Sequence, residues 1–305
     1  MALKHLLLGL CLPSLLSAEI SVSESEQFLS IQNGANDFLC YHKVALEPPT
    51  GVDTVFRRNA VIHPLKTPNN GVLTGVHPDD HYHHVGIWHA WVKTVHGSDQ
   101  PDFWNLKKET GRVRFVKVLE KTRNGFAVEQ EQVAYKGEGK VETVVLKEIL
   151  QISASFEDDA NVIDYILTQK NVSGTKLELP AYRYGGPLAY RGPLNWKKGN
   201  SEYLTSEDKT RENSHSTRAN WCMAYGDIET GRGTLLILGH PGNHDAPHRL
   251  RTWNNGKMFL NIAATQEHAF AIGAGDAVTW KFRLIAIDGV MTKEAANHWW
   301  AGYLK

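Results

Sequence analysis

The feature that most constrains the fold is a succession of short segments in which apolar and polar residues alternate, with turn residues between them. Alternation with a period of two is typical of β-strands that bury one face. The clearest segments are Arg112–Lys121, Gly125–Tyr135, Val141–Ser153, Asn161–Gln169, Thr234–Leu238, Met258–Ala263 and Ala277–Asp288. Many short strands with frequent turns predict an all-β fold, a large antiparallel β-sandwich.

The segments between and after these strands add detail. Asn124-Gly125 is a hairpin signal that joins two of them. Helical periodicity is clear only in Thr292–Leu304, where small and aromatic residues recur at helical spacing, so a short C-terminal helix is expected. No repeat or shift in composition marks a linker, and a single β-sandwich domain is therefore predicted over residues 19–305.

Residues 1–18 have the three parts of a secretory signal peptide. A basic start at Lys4 is followed by an apolar run and by the small residues Ser17-Ala18. We therefore expect a secreted or periplasmic protein. Two cysteines, Cys40 and Cys222, remain after removal of the signal, and their spacing leaves open whether they pair or stay as free thiols.

Charge and hydropathy exclude two classes of function. The 33 basic residues balance 33 acidic ones, and no Lys/Arg cluster forms a basic face for nucleic acid. Beyond the signal, no apolar run reaches the roughly 20 residues that a spanning helix needs. We expect neither nucleic-acid binding nor membrane insertion after signal removal.

Histidine is concentrated in one part of the chain, because seven of the 15 histidines lie between His63 and His96. Prolines before His81 predict a loop. From His83 onward, alternation predicts a strand. One face would carry His83, Val85, Ile87, His89 and Trp91, and the opposite face His84, Gly86, Trp88 and Ala90.

Three interpretations of His81, His83 and His84 are open. Together with His63 they would ligate a divalent metal such as zinc, calcium or copper. One of them would act as a general acid or base, because the ordinary pKa of imidazole lies near neutral pH. With Trp88 they would bind a saccharide, since an indole covers the C–H face of a sugar while imidazoles bond its hydroxyls.

Two other polar clusters lie far away in sequence. Arg183 and Tyr184 precede a Gly-Gly pair, and an arginine beside glycines can reach a carboxylate or a sugar hydroxyl. The segment Gly239–Arg251 holds His240 and Asn243 in a loop that prolines keep irregular. We expect both clusters to meet the histidines around one site.

Most of the chain after the predicted signal peptide, from about Ala60 to Gly289, resembles the PmoA-like family of bacterial proteins, which is named after a methane mono-oxygenase subunit. The matching residues are His63-Pro64-Leu65, Thr67-Pro68, Gly71, Thr74, the D-H-x-H-H-x-G run within His77–Trp88, His240-Pro241-Gly242-Asn243 and Asp288-Gly289. The sequence departs from the pattern at Val61-Ile62, where an aromatic residue often precedes the His-Pro. The resemblance implies a role in carbohydrate metabolism and a fold similar to the supersandwich of galactose-mutarotase-like proteins.

The predicted function is acid/base chemistry on a small-molecule saccharide or oligosaccharide: glycosidic cleavage by hydrolysis or elimination, or epimerisation. The proton would be moved by His81, His83 or His84. The substrate would be bound by His63, Trp88, Arg183, Tyr184, His240 and Asn243. A His-ligated metal-dependent oxygenase or hydrolase and a non-catalytic sugar-binding module are the alternatives. A chain without net charge suits an uncharged saccharide, and its oligomeric state is left open.

Overall fold

The computed structural model describes residues 19–305, so the predicted signal peptide lies outside the described residues. The strands of the first half are β1 Ile20–Glu24, β2 Phe28–Asn33, β3 Asn36–His42, β4 Val61–Leu65, β5 Ile87–Ala90, β6 Val95–His96, β7 Gly111–Lys121, β8 Gly125–Lys136, β9 Val141–Glu157 and β10 Ala160–Asn171. Those of the second half are β11 Leu177–Leu179, β12 Gly186–Arg191, β13 Ser201–Thr205, β14 Trp221–Ile228, β15 Gly231–Gly239, β16 Leu250–Thr252, β17 Phe259–Ile262, β18 Phe270–Ile272 and β19 Ala277–Asp288. The helix α1 is Lys293–Tyr303.

The strands form two large antiparallel sheets, each of eight strands. The first sheet has the order β1-β2-β3-β4-β5-β12-β17-β16, and the second has the order β13-β14-β15-β19-β10-β9-β8-β7. A small third sheet has the order β18-β11-β6. The predicted all-β, antiparallel sandwich with one short C-terminal helix is confirmed.

The core lies between the two large sheets. On β15, Leu235 and Ile237 belong to the main hydrophobic cluster, which includes residues of both sheets, whereas Leu236 and Leu238 belong to a second cluster that contains Ala296 of α1. Both faces of β15 are therefore buried, because one packs against the first sheet and the other packs against α1. Each leucine buried in this way stabilises the fold by about 1.5–3 kcal/mol.

The strands of the second sheet follow the sequence pattern closely. The hairpin at Asn124-Gly125 joins β7 to β8, and the last predicted strand has the observed bounds. Thr292 caps α1, because its side-chain oxygen accepts a hydrogen bond of 3.2 Å from the Ala295 backbone N–H. Within residues 19–305, no helix is long and apolar enough to cross a membrane. The thiols of Cys40 and Cys222 are free.

Candidate functional site

The histidine-rich segment is a tightly turned loop rather than the beginning of a strand. The backbone N–H of His84 donates to the carbonyl of His81 at 2.9 Å, and that of His77 donates to the carbonyl of His84 at 2.9 Å. Gly86 has a φ of +54°, and a Cβ there would lie 2.0 Å from the carbonyl oxygen of Ile62. The predicted strand from His83 onward is therefore wrong for residues 83–86, and β5 begins only after this kink.

The loop brings three of the predicted site residues together. The rings of His81 and His84 are stacked, with centroids 4.8 Å apart and an interplanar angle of 20°. The His83 ring lies edge-on to His84 at 4.6 Å and 5.5 Å from His81. On a strand, His83 and His84 would have faced opposite sides of the sheet.

These three imidazoles line a pocket of about 170 Å³. Its lining residues are His81, His83, His84, Trp104, Asn105, Arg183, Tyr184, Arg251, Trp253 and Phe259. A larger cleft of about 550 Å³ lies around His96–Pro101, but it does not gather the predicted groups. Convergent polar groups over an aromatic surface, rather than volume alone, identify the smaller pocket as the candidate site.

The pocket lies on the outer face of the first sheet. On β5, the His89 side chain contacts Tyr165 and Glu148 of the second sheet at 3.0 and 2.8 Å. Its neighbour Trp88 therefore points away from the second sheet, and its ring lies 5.0 Å from that of His84. Trp88 is 1% exposed. Trp88, which was predicted to contact a ligand, does not line the pocket, and its ring packs against that of His84 instead.

An aromatic surface forms the floor of the pocket. Phe259 of β17 stacks on His84 with centroids 4.6 Å apart and an angle of 16°. Trp253 lies 4.8 Å from both Phe259 and His81. Flat apolar rings next to imidazole N–H and N groups are suited to a ring that has one apolar and one polar face.

A short segment is fixed in place to provide the other wall. The buried Asp102 carboxylate accepts hydrogen bonds from the backbone N–H groups of Trp104 at 3.0 Å and Asn105 at 2.9 Å. Arg58 is 3% exposed and donates to the carbonyls of Phe103 and Trp104 at 3.1 and 2.9 Å. The Trp104 and Asn105 side chains thus reach the pocket from a rigid turn.

An ion pair supports the base of the histidine loop. The fully buried Arg191 of β12 donates two bonds to the Asp80 carboxylate, at 2.9 and 3.2 Å, and lies 5.2 Å from the Trp253 ring centre. The Asp80 carboxylate also lies 3.5 Å from Nδ1 of His81. This distance is an electrostatic contact and is longer than an ordinary hydrogen bond. Arg191 therefore fixes the carboxylate that faces His81.

The surroundings hold all three imidazoles in their neutral form. Burial lowers the pKa of His83 to about 3, helped by the nearby charge of Arg58. Burial also lowers the pKa of His84 well below its usual range, with His83 and Arg191 adding to the effect. The pKa of His81 is lowered by burial too, but Asp80 opposes that shift. The group best placed to exchange a proton is therefore His81.

Two predicted residues line the opposite wall. The guanidinium carbon of Arg183 lies 5.6 Å from the Tyr184 ring centre, and that of Arg251, a residue of β16, lies at the same distance. Burial and the charge of Arg183 lower the pKa of Arg251. The Tyr184 hydroxyl accepts a bond of 3.3 Å from the Asn105 side chain.

The second predicted cluster does not enter the pocket through the residues that we expected. Asn243 is bonded to the backbone of Lys281 at 2.8 and 2.9 Å, and the His240 ring lies 5.5 Å from that of Tyr303. Both residues follow β15 of the second sheet, whereas the pocket lies on the first sheet. Only the far end of that segment, at Arg251, reaches the pocket.

His63 is also placed elsewhere. Its Nδ1 lies 2.8 Å from the Thr74 hydroxyl, and it lines a separate cleft with Thr74 and Leu194. The predicted metal-ligand set is therefore not assembled around His63. Over the described residues 19–305, no three His, Cys, Asp or Glu side chains are grouped as metal ligands would be.

Several lining residues were missed by the sequence analysis. Trp104, Asn105 and Trp253 lie in segments without a motif, and Phe259 lies in the predicted strand Met258–Ala263, where nothing in the sequence marks it as a site residue. Arg251 was inside a cluster that we noted, but its position on a short edge strand is not visible from the sequence.

The fold and site define an all-β sandwich protein with a histidine- and arginine-lined pocket on the outer face of one sheet. The chain belongs to DUF6807, a family of unknown function, whose model matches residues 29–301.

The solved structures that resemble this one are distant. A galactose mutarotase related enzyme from Lactobacillus acidophilus has a TM-score of 0.43 and 8% identity, over 90% of this chain and 100% of that one. A polysaccharide lyase has a TM-score of 0.38 and 9% identity, over 93% of this chain and 34% of that one. No curated protein matches the sequence. At these scores, neither structure assigns a function to the chain.

Proposed function

We propose that the protein is a carbohydrate-active enzyme that moves a proton on a saccharide bound in the pocket of His81, His83 and His84. The observation that carries the proposal is that these three imidazoles share one small pocket with an aromatic floor and a wall of Arg183 and Tyr184. A volume of about 170 Å³ suits one ring-sized unit of a ligand and not a whole oligosaccharide.

In this proposal, His81 is the residue that exchanges the proton. Asp80 faces its Nδ1 and favours a proton there, which leaves Nε2 free to accept one from the substrate. His83 and His84, neutral over the working pH range, would bond hydroxyls of the sugar. Trp253 and Phe259 would cover its C–H face.

The lining residues favour proton abstraction over simple hydrolysis. Hydrolysis of a glycosidic bond usually needs two carboxylates that flank it. Among the described residues, none that lines this pocket is an aspartate or glutamate. Elimination or epimerisation, in which a base removes a proton from carbon, therefore fits the pocket better. Arginines stabilise the negative charge that develops.

The test is turnover of a saccharide panel by the mature chain and by His81→Gln. We expect the variant to bind substrate with affinity within a few-fold but to lose at least about 100-fold in kcat. His240→Gln is the control, because that ring lies outside the pocket, and it should retain activity. Binding without turnover in the unaltered protein would support the sugar-binding module instead.

Secretion, the single domain and the likeness to PmoA-like proteins remain predictions from the sequence. A periplasmic or secreted enzyme would meet oligosaccharides outside the cytoplasm. The release of residues 1–18 on export can be measured by mass spectrometry of the mature N-terminus.

A further inference from the structure

Two positive charges face this pocket without a counter-charge. Within residues 19–305, neither Arg183 nor Arg251 has a carboxylate within 4.0 Å or a side-chain hydrogen bond. Both guanidinium carbons nevertheless lie 5.6 Å from the centre of the same Tyr184 ring. Arg183 is exposed and Arg251 is half-buried, so water screens part of the repulsion between the two guanidinium groups, but no protein carboxylate within 4.0 Å neutralises either charge.

Most other arginines in the described part of the chain have such a partner. Arg232 also stacks on a tyrosine, with its guanidinium carbon 5.7 Å from the Tyr225 ring centre, but it pairs with Asp227 at 3.3 Å. Arg218 is held by two carboxylates, at 2.7 and 3.2 Å. The two arginines of the pocket differ from Arg232 by the missing anion. Among the described residues, they also differ from the buried Arg211, which stacks on Tyr203 without a carboxylate, because its guanidinium donates hydrogen bonds to Ser201 and theirs have no side-chain hydrogen bond.

The remaining charges near the pocket do not supply that anion. Asp80 is already engaged by Arg191 at 2.9 Å. Arg58, which is 3% exposed, donates its side-chain hydrogen bonds to backbone carbonyls and adds further positive charge beside His83. The pocket is therefore locally positive, although the basic and acidic residues of the whole chain balance and its formal net charge is zero.

We infer that the saccharide carries a carboxylate, as a hexuronic acid unit does, and that Arg183 and Arg251 bind this carboxylate. The inference rests on the proposed saccharide site and specifies its substrate class. A planar guanidinium matches the two oxygens of a carboxylate, and the ring of the same unit would lie on Trp253. The acidic group would also neutralise the repulsion between the two arginines.

The experiment compares acidic and neutral forms of one ligand. Oligosaccharides of glucuronate, galacturonate and mannuronate, each paired with its methyl ester, are titrated into the mature protein by calorimetry. We expect at least one acid to bind about tenfold or more tightly than its ester, since bonds to charged groups are the strong ones. This preference should weaken with added salt.

Arg183→Gln and Arg251→Gln should each remove most of the preference for the acid over the ester. Arg232→Gln is the matched control, because it alters an arginine stacked on a tyrosine outside the pocket, and it should keep the preference. Circular dichroism and melting curves confirm that each variant is folded.

The two proposals fail in different ways. Neutral saccharides that are bound and turned over equally well by the arginine variants would overturn the carboxylate inference but uphold the saccharide enzyme. Preference for sulfated over carboxylated sugars would also overturn it. Failure of every acid and every ester to bind would overturn both.

Discussion

At the scale of single residues, the pocket depends on one ion pair behind the histidines. Arg191 is fully buried, and its guanidinium is balanced by Asp80 alone among the described carboxylates within 4.0 Å. A buried cation that loses its partner is destabilising, because neither water nor another charge can replace it.

Asp80→Asn should lower the free energy of unfolding by about 1.5–3 kcal/mol and should also reduce turnover, because the amide no longer balances Arg191 or orients His81. Urea denaturation and initial rates measure the two effects. Asp79→Asn is the control: this neighbouring carboxylate is 79% exposed and pairs with Lys257, so its loss should cost less than about 1 kcal/mol. Equal effects of the two substitutions would contradict the assignment.

The residue types of the site were partly predictable from the sequence. His81, His83, His84, Arg183 and Tyr184 were expected at one site and line one pocket. Their chemistry is visible in the sequence, but their environment is not. Burial lowers the pKa of His83 to about 3, and no local pattern in the sequence indicates that this side chain is buried.

At the scale of elements, β5 connects the pocket to the core. Trp88 lies on the pocket side of β5. The next residue, His89, points the other way, into the core, and its Nε2 lies 2.8 Å from the Glu148 carboxylate of β9. Glu148 is 0% exposed and also accepts bonds from Gln132 at 2.8 Å and Gln169 at 2.6 Å. This buried polar network fixes how the first sheet is seated on the second.

Glu148→Ala should destabilise the protein by at least about 3 kcal/mol, because three buried donors lose their acceptor at once. Gln151→Ala on the same strand is the control, since this side chain is exposed, and it should change stability by less than about 0.5 kcal/mol. Chemical denaturation followed by tryptophan fluorescence compares the two. A loss at Glu148 no larger than that at Gln151 would mean that the network does not join the sheets.

The loop before β5 depends on its glycine. Gly86→Ala would place a Cβ 2.0 Å from the carbonyl oxygen of Ile62 at a φ of +54°. We expect it to destabilise the fold by more than about 1 kcal/mol and to weaken saccharide binding, because the histidine loop must shift. Gly139→Ala is the control, since a Cβ there meets nothing within 4 Å. Unchanged saccharide binding by the Gly86 variant would mean that the conformation of the histidine loop does not determine the binding site.

The elements also mark the limit of inference from the sequence. Alternation located the strands of the second sheet because their buried and exposed faces differ regularly. It failed at residues 83–86, where a positive φ and turn hydrogen bonds override the pattern. It also could not place His240, because the pattern of a strand does not indicate which sheet it joins.

At the scale of the whole molecule, the neutral net charge was the basis for expecting an uncharged saccharide. The charges are, however, distributed unevenly. Carboxylates pair with most arginines elsewhere, whereas Arg183 and Arg251 have none within 4.0 Å in the part of the chain that is described. A ligand senses the local field of its pocket more than the sum over the chain, because salt screens distant charges. Neutral composition is therefore compatible with an acidic ligand.

Buried histidines in separate parts of the molecule should make its stability depend on pH. Burial lowers the pKa of His83 to about 3 and those of His63 and His248 to about 4, against an ordinary value of 6.5. Below pH 6.5 the unfolded chain therefore binds protons that the folded chain does not. Stability is fully present above that pH and is lost as the pH falls toward 4, by up to about 1.4 kcal/mol per pH unit for each group.

Urea denaturation at steps between pH 7.5 and 5.5 measures this loss, and the range stays about one unit above the ordinary pKa of glutamate. We expect a steep fall beginning near pH 6.5. His248→Gln should reduce the slope by removing one of the groups, whatever its effect on stability at pH 7.5. His268→Gln is the control, because its side chain is 63% exposed, and it should leave the slope unchanged. A stability that stays flat from pH 6.5 to 5.5 would mean that these imidazoles are protonated in the folded protein, and it would remove the basis for treating His83 and His84 as neutral partners of a sugar.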